Sequence, residues 1–158
     1  METIVRDGTT ADVSRIYRMM RDFAVFEDLE QCFQVTEERL YDALFGTNAF
    51  LEALLAERSA QAIGYALFFP VFASFSGERR LFLEDLYVAA DARGSGVGRQ
   101  LLREIARRGL EKGFTGIEFH VPQWNRPAIK FYENLGAIHA ANDLNYKFIG
   151  EAFRSLAA

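Results

Sequence analysis

One cysteine occurs in the 158 residues, Cys32, so no internal disulfide can form. It stands with two histidines, His120 and His139, too few ligands for a zinc set, and no metal is expected. Neither histidine has a catalytic partner in the sequence, so both are expected to be structural. Cys32, in a polar loop, is expected to be an ordinary thiol. No apolar run approaches the roughly 18 residues of a membrane span. The opening METIVRDGTT lacks the apolar stretch of a secretory signal, so the cytoplasm is the default expectation. There is no excess of positive charge. Lys and Arg number 18 against 22 Asp and Glu, a formal charge of −4, which argues against nucleic-acid and anionic-membrane partners and suits a cationic ligand. Repeats, low-complexity tracts and linkers are also missing. A single domain over residues 1–158 is expected.

What is present is apolar residue in quantity: 50% of the chain, including 15 Phe. That is enough for a sizeable core, with a few aromatics left over to line a pocket. The elements expected are a short strand over 2–6 and a helix capped by Thr9 or Thr10, with Val13, Ile16, Tyr17, Met20, Phe23 and Ala24 at helical spacing. An acidic connector carrying Glu27, Asp28 and Glu30 leads to a short helix from Thr36 to Leu44. Strands over 49–57 and 61–73 form a hairpin, the second bent or ended at Pro70. A loop over 74–79 precedes a strand over 80–88, which reads as buried on both faces. A helix over 97–112 is stopped by Gly113. A strand over 115–121 follows, then a helix capped by Asn125 with Pro127 in its first turn. Short strands near 137–140 and 144–149 close the chain. The class is mixed α/β.

Three features carry chemistry. In Arg93-Gly94-Ser95-Gly96-Val97-Gly98-Arg99, between a strand and an amphipathic helix, three glycines allow a tight turn. Successive N–H groups and the helix N-terminus then make an anion site, flanked by two arginines. The plain alternative is a flexible strand-to-helix turn. The segment lacks the Gly-Lys-Ser/Thr ending of a Walker loop, and Arg99 stands where a dinucleotide fingerprint wants glycine or alanine. In the apolar run Leu81 to Val88, Glu84 and Asp85 need a partner or a task. Alternation sets Glu84 with Leu86 and Val88, and Asp85 on the other face, unless a bulge intervenes. Either acid pairs with Arg80 or Arg93, or the two form a cation site and a base. In 124–136, Phe131, Tyr132 and Leu135 share a turn, which makes Tyr132 either a core aromatic or a general acid.

Together these segments resemble the GNAT superfamily of N-acetyltransferases, whose Arg-x-x-Gly-x-Gly pattern matches Arg93, Gly96 and Gly98. Leu83-Glu84-Asp85-Leu86-Tyr87-Val88, Trp124 to Ile129 with Phe131-Tyr132, and the stretch from Phe26-Glu27 to Thr36-Glu37 resemble the spermidine/spermine and thialysine branch. The resemblance implies a central, mostly antiparallel mixed sheet flanked by helices, with a splayed parallel strand pair holding acetyl-CoA. Leu86, Tyr87 and Val88 would hold pantetheine, Gly94, Ser95, Gly96, Val97, Gly98 and Arg99 the pyrophosphate, and Asn125, Arg126, Pro127 and Ala128 the rest of the coenzyme. It makes Tyr132 the acid that protonates the leaving thiolate and Glu84 the acceptor of the amine proton. It sets Glu27, Asp85, Glu118, Phe119 and His120 at the amine. It also implies a homodimer. The polyamine enzymes carry an acidic, aromatic loop before the central strand. Here Ala73 to Arg80 has no tryptophan and two arginines, so a lysine-like amino acid stands beside a diamine or polyamine as acceptor. Outside that branch, the alternatives are a protein or peptide acetyltransferase and a non-catalytic acyl-CoA sensor.

Overall fold

The polar Glu57–Gln61 stretch closes the chain's first hairpin: Ser59 and Ala60 both take positive φ, 53° and 63°, as a two-residue turn between right-twisted strands requires. A computed structural model describes residues 2–141 and 144–157, and these divide into two compact units between His120 and Val121. The first unit holds β1 (Ile4–Asp7), α1 (Val13–Phe26), α2 (Glu37–Phe45), β2 (Glu52–Arg58), β3 (Gln61–Ala73), β4 (Glu78–Val88), α3 (Val97–Glu111) and β5 (Gly116–Phe119). Its five strands lie in the order β1-β2-β3-β4-β5. Every neighbouring pair is antiparallel except β4 and β5, which are parallel.

Period-two alternation sorts the apolar side chains to two faces. Leu54, Ala56, Ala66 and Phe68 pack with Val97, Leu101 and Ile105 of α3. Ala53, Leu55, Tyr65 and Leu67 pack with Val13, Ile16 and Met19 of α1 and Leu40 and Leu44 of α2. Thr36 caps α2, its Oγ1 accepting from the Arg39 N–H at 3.2 Å, and Gly113 ends the α3 region with φ 78°. Leu110 of α3 is exposed; Gly109 is the buried residue of that turn. β3 does not break at Pro70. β2 pairs with β3 only as far as Glu52 opposite Phe68, so Pro70 lies beyond it and is flanked by β4 alone. A missing N–H is tolerated at such an edge.

The entry to α1 is fixed by charge. Asp12, 2% exposed, accepts from Arg6 at 2.7 and 3.0 Å and from the N–H and hydroxyl of Thr9 at 2.9 and 2.8 Å. Arg6 also grips Glu57 of β2 at 2.7 and 2.9 Å, and Arg15 of α1 reaches the same carboxylate at 3.0 Å. One guanidinium thus ties two strands to a helix start.

The second unit contains α4 (Arg126–Asn134) and α5 (Gly150–Ser155). The strands expected at 137–140 and 144–149 are not found among the described residues, and 142–143 lie outside them. Leu144, Tyr146 and Phe148 have strand-like alternation, yet all three are exposed with Ile138 and Ile149. Alternation alone does not make a strand where no neighbouring strand satisfies its backbone groups.

Removing Asp12 should leave Arg6 and the Thr9 N–H partly unmet. Asp12→Ala is expected to lose about 1–3 kcal/mol, since Arg6 keeps Glu57 as a partner, read as a lower urea midpoint at unchanged slope. Arg6 holds the Asp12 carboxyl well below the ordinary carboxylate range. The parent should therefore keep this contribution at neutral pH and lose it as pH falls below about 4, whereas Asp12→Ala should show a flatter acid limb.

Candidate active site

The parallel pair β4–β5 is short. Its register runs from Arg80 opposite Gly116 to Leu83 opposite Phe119, and β4 continues past that point to Val88. At the same place β4 carries an extra residue against β3: Leu67 faces Asp85 and Phe68 faces Leu83, leaving Glu84 unpaired in the ladder. Such a bulge switches the side-chain parity. Leu81 and Leu83 belong with the α3 core, and after the bulge it is Leu86 and Val88 that join them. Glu84 is accordingly exposed, not buried as expected. Neither acid is bonded to Arg80 or Arg93. Arg80 binds Glu78 and Glu118 instead, at 2.8 and 2.6 Å.

Asp85 lines a cavity of about 260 Å³ together with Met20, Phe23, Ala24 and Glu27 from the end of α1 and Leu29, Cys32, Phe33, Gln34 and Val35 from the connector. The walls are largely apolar, two carboxylates are present and, among the described residues, no cationic side chain lines the space. Burial raises the Glu27 carboxyl above its usual range. It pushes Asp85 up to about 6, helped by the charges of Glu84 and Glu27 and opposed by a hydrogen bond from Tyr65. That bond runs from the Tyr65 hydroxyl to Asp85 Oδ2 at 2.9 Å. Tyr65 lies in β3 and carries no motif signal, so sequence patterning passes over it.

Three residues expected at the amine do not line this cavity. Glu118 is taken by Arg80, and Phe119 packs on the α3-side core. His120, an exposed residue, sets its ring edge-on to Phe82 with centroids 5.2 Å apart. Glu118 and Phe119 lie on β5 and His120 directly follows it, along the sheet edge on the far side of β4 from β3.

The glycine loop joins β4 to α3 through a short turn at Ala90–Ala92. Gly94 and Gly96 take φ of 74° and 86°, a region that disfavours side chains. A Cβ on either would meet nothing within 4 Å, so the glycines serve the backbone turn and leave open space before the N-terminus of α3. Val97 is buried and starts the helix, Gly98 is partly buried and Arg99 is exposed. Arg93 is more engaged than a free phosphate ligand: its Nε donates to the Val88 carbonyl at 3.0 Å, and its guanidinium lies 4.2 Å from the Phe26 ring centroid and 5.7 Å from that of Tyr87. Arg58, at the end of β2, adds a cation that the loop pattern does not reveal. It donates to Ser95 Oγ at 3.1 Å, while Ser95 donates to the Ala92 carbonyl at 2.6 Å.

In the second unit, Asn125 is buried and its Oδ1 accepts from the Ala128 N–H at 3.2 Å, capping α4 with Arg126 and Pro127 in the first turn. Tyr132 is partly buried, with its ring 5.1 Å from that of Phe131.

Comparison with known proteins gives one family match: the model described as the acetyltransferase (GNAT) family matches residues 15–137. A thialysine N-epsilon-acetyltransferase of Mus musculus is 33% identical, over 98% of this chain and 97% of its own. An L-ornithine N5-acetyltransferase of Arabidopsis thaliana is 26% identical over 84% of this chain and 78% of its own. Among solved structures, an integron cassette protein from the mobile metagenome of V. cholerae superposes with a TM-score of 0.83 at 19% identity, covering 99% of this chain and 98% of that one.

The elevated proton affinity of Asp85 has a stability consequence. Its folded value, about 6, lies above the ordinary 3.8, so ionisation costs the folded state. Asp85→Asn is expected to be more stable than the parent above pH 6, by up to about 3 kcal/mol. The gain should shrink between about pH 6 and 4 and vanish below that. Urea titrations at several pH values check this; a less stable variant at pH 8 would mean that the ionised carboxylate supports the fold.

Proposed function

The chain belongs to the acetyltransferase (GNAT) family and is an acetyl-CoA-dependent N-acetyltransferase, and we propose that its acceptor is the primary amine of a small cationic molecule, a lysine-like amino acid before a long polyamine. The observation that carries this is the cavity in which Glu27 and Asp85 stand among apolar walls without a cation. Two carboxylates there call for a positive ligand with a hydrocarbon stem. A volume of about 260 Å³ suits a short amine chain. Arg79 and Arg80, in the segment that departs from the polyamine pattern, are engaged with Phe114, Glu78 and Glu118. The segment therefore offers no surplus acid to a second ammonium. The mouse and Arabidopsis relatives are named for thialysine and ornithine, both amino acids with a side-chain amine.

The residues present fit acetyl-CoA. The positive-φ glycines open the space before α3, and β4 runs on past its last β5 partner with β3 alone beside it among the described residues. Gly94 to Arg99 would hold the pyrophosphate, Leu86 to Val88 the pantetheine, and Asn125 to Ala128 the remainder. When bound, acetyl-CoA supplies the acetyl group as an activated thioester.

The chain's own tasks concern protons. An alkylamine has a pKa near 10.4, so freeing it at pH 7 costs roughly 4.6 kcal/mol. Asp85 and Glu27 bind the ammonium. Glu84, on the bulge and open to solvent, takes the proton through water and passes it on. Tyr132 donates its phenolic proton to the departing thiolate. Cys32 lies at the cavity, yet direct transfer needs no thiol nucleophile. The remaining parts of the proposal are a single domain over residues 1–158, a homodimer and a cytoplasmic setting. The exposed Leu144, Tyr146, Phe148 and Phe153 favour the dimer, since apolar side chains in such number call for a partner.

Thiol release from acetyl-CoA across lysine, thialysine, ornithine, diamines, spermidine and spermine tests the acceptor. The lysine-like amines are expected to exceed spermine in kcat/KM by about tenfold or more; a spermine preference would overturn the choice of acceptor, and no turnover on any amine would overturn the amine reading. Tyr132→Phe should lower kcat by about 10²-fold with acetyl-CoA affinity nearly unchanged, whereas equal losses in both would make Tyr132 structural. Cys32→Ala should retain activity.

A further inference from the structure

Tyr65 is 0% exposed and belongs to none of the motifs that define the family's site. A buried hydroxyl needs a partner, and this one's is Asp85 Oδ2 at 2.9 Å. The tyrosine ring is packed 6.0 Å from Tyr87, which itself lies opposite Tyr65 in the β3–β4 ladder. The hydroxyl therefore has little freedom to turn away. We propose that Tyr65 is a positioning residue for the acceptor site, its hydroxyl holding one oxygen of Asp85 so that the carboxylate stays charged and its other oxygen serves the substrate ammonium.

The proposal rests on reading this cavity as the amine site. The groups around Asp85 explain why such a donor is needed. Glu27 comes from the residue after α1, Cys32 from the connector and Glu84 from β4 itself; among the described residues no cationic side chain lines the cavity. Burial and two like charges favour the protonated carboxyl, and the Tyr65 hydroxyl is the group that opposes them. A neutral carboxyl would lose the charge that attracts an ammonium. The phenol remains a donor throughout, since burial and the nearby Asp85 carboxylate hold it well above its ordinary ionisation range. Tyrosine here thus does what a cation does elsewhere in a protein, without presenting a positive charge to repel the substrate.

The test is Tyr65→Phe in the full chain, which keeps the ring and deletes the hydroxyl. The Asp85 side-chain carboxyl carbon is titrated by NMR with no substrate present. Its midpoint is expected to rise by about one unit; an unchanged or lower midpoint overturns the proposal, whatever amine the enzyme accepts. In kinetics with an accepted amine, kcat/KM should fall about threefold near pH 6.5 and about tenfold toward pH 5, and recover near pH 9, with KM for acetyl-CoA unchanged. A loss of the same size at every pH would mark a packing role and overturn it. If the Phe variant does not fold, Asp85→Asn takes its place: the acid limb of kcat/KM is expected to disappear, and a limb like the parent's overturns the proposal. A parent that acetylates no amine would refute the reading of the cavity alone, and the carboxyl titration would still decide the role of Tyr65.

Discussion

The constraint on which the rest of the structure depends is the extra residue in β4. A regular strand from Leu81 to Val88 would keep Leu81, Leu83, Asp85 and Tyr87 on one face, setting a carboxylate among the core residues that meet α3. Inserting Glu84 between two paired positions moves Asp85 and Tyr87 to the α1 side and returns Leu86 and Val88 to the α3 core. The apolar faces remain continuous, because the parity changes once and every later residue follows it. The bulge also falls where β5 ceases to accompany β4. One irregularity thus supplies a solvent-facing acid, a largely buried acid and a stretch of strand with one side free of a β partner. Bulges are common beside active sites for this reason.

The distribution of charge follows a similar economy. The chain is acidic, yet much of its acid away from the cavity is matched by arginine: Asp12 and Glu57 by Arg6 and Arg15, Glu104 by Arg107 and Arg108, Glu78 and Glu118 by Arg80. Most of these pairs are partly exposed, so each contributes little by itself; the Asp12 cluster, buried and joined to a cap, is the exception. The acids of the cavity have no such match. Asp85 receives a neutral hydroxyl, and Glu27 is raised by burial. Selective pairing elsewhere leaves the cavity as a place where negative charge is unsatisfied.

How much of this is legible in the sequence depends on whether the signal is local. Thr36, Asn125 and Gly113 mark helix ends through hydrogen bonds or φ values that a single residue determines, and the structure places them there. The glycine loop reads as a strand-to-helix turn for the same reason. Glu27 and Asp85 are legible as an acceptor pair only through resemblance, since 58 positions separate them (85 − 27) and no periodicity links them. Glu84 reads as buried because its neighbours are apolar; the bulge that exposes it depends on β3, whose register the sequence does not display. Glu118 has the right character for an amine ligand but lies opposite Phe82 and is held by Arg80 two residues along β4, a partner visible only once β4 and β5 are paired. The segment 144–149 has strand alternation without a strand neighbour among the described residues, so pattern and structure part there. Tyr65 and Arg58 escape notice because each acts on a residue brought beside it by the sheet.

Arg93 joins the two ends of the proposed site. Its guanidinium rests over Phe26, the last residue of α1, and its Nε holds the Val88 carbonyl at the end of β4. The next residue after Phe26 is Glu27. A single side chain from the glycine loop thus braces both elements that deliver the cavity acids, while Arg58 steadies Ser95 within the loop itself. The loop end is positive, through Arg93, Arg58, Arg99 and the start of α3; the cavity end is negative, through Glu27 and Asp85. An anionic coenzyme and a cationic acceptor would each be repelled from the other's place and drawn to its own, so opposite potentials order the reactants before any contact is made. Because the brace is a stacked arginine rather than an ion pair to Glu27, the loop gains rigidity without neutralising the acid on which the acceptor depends.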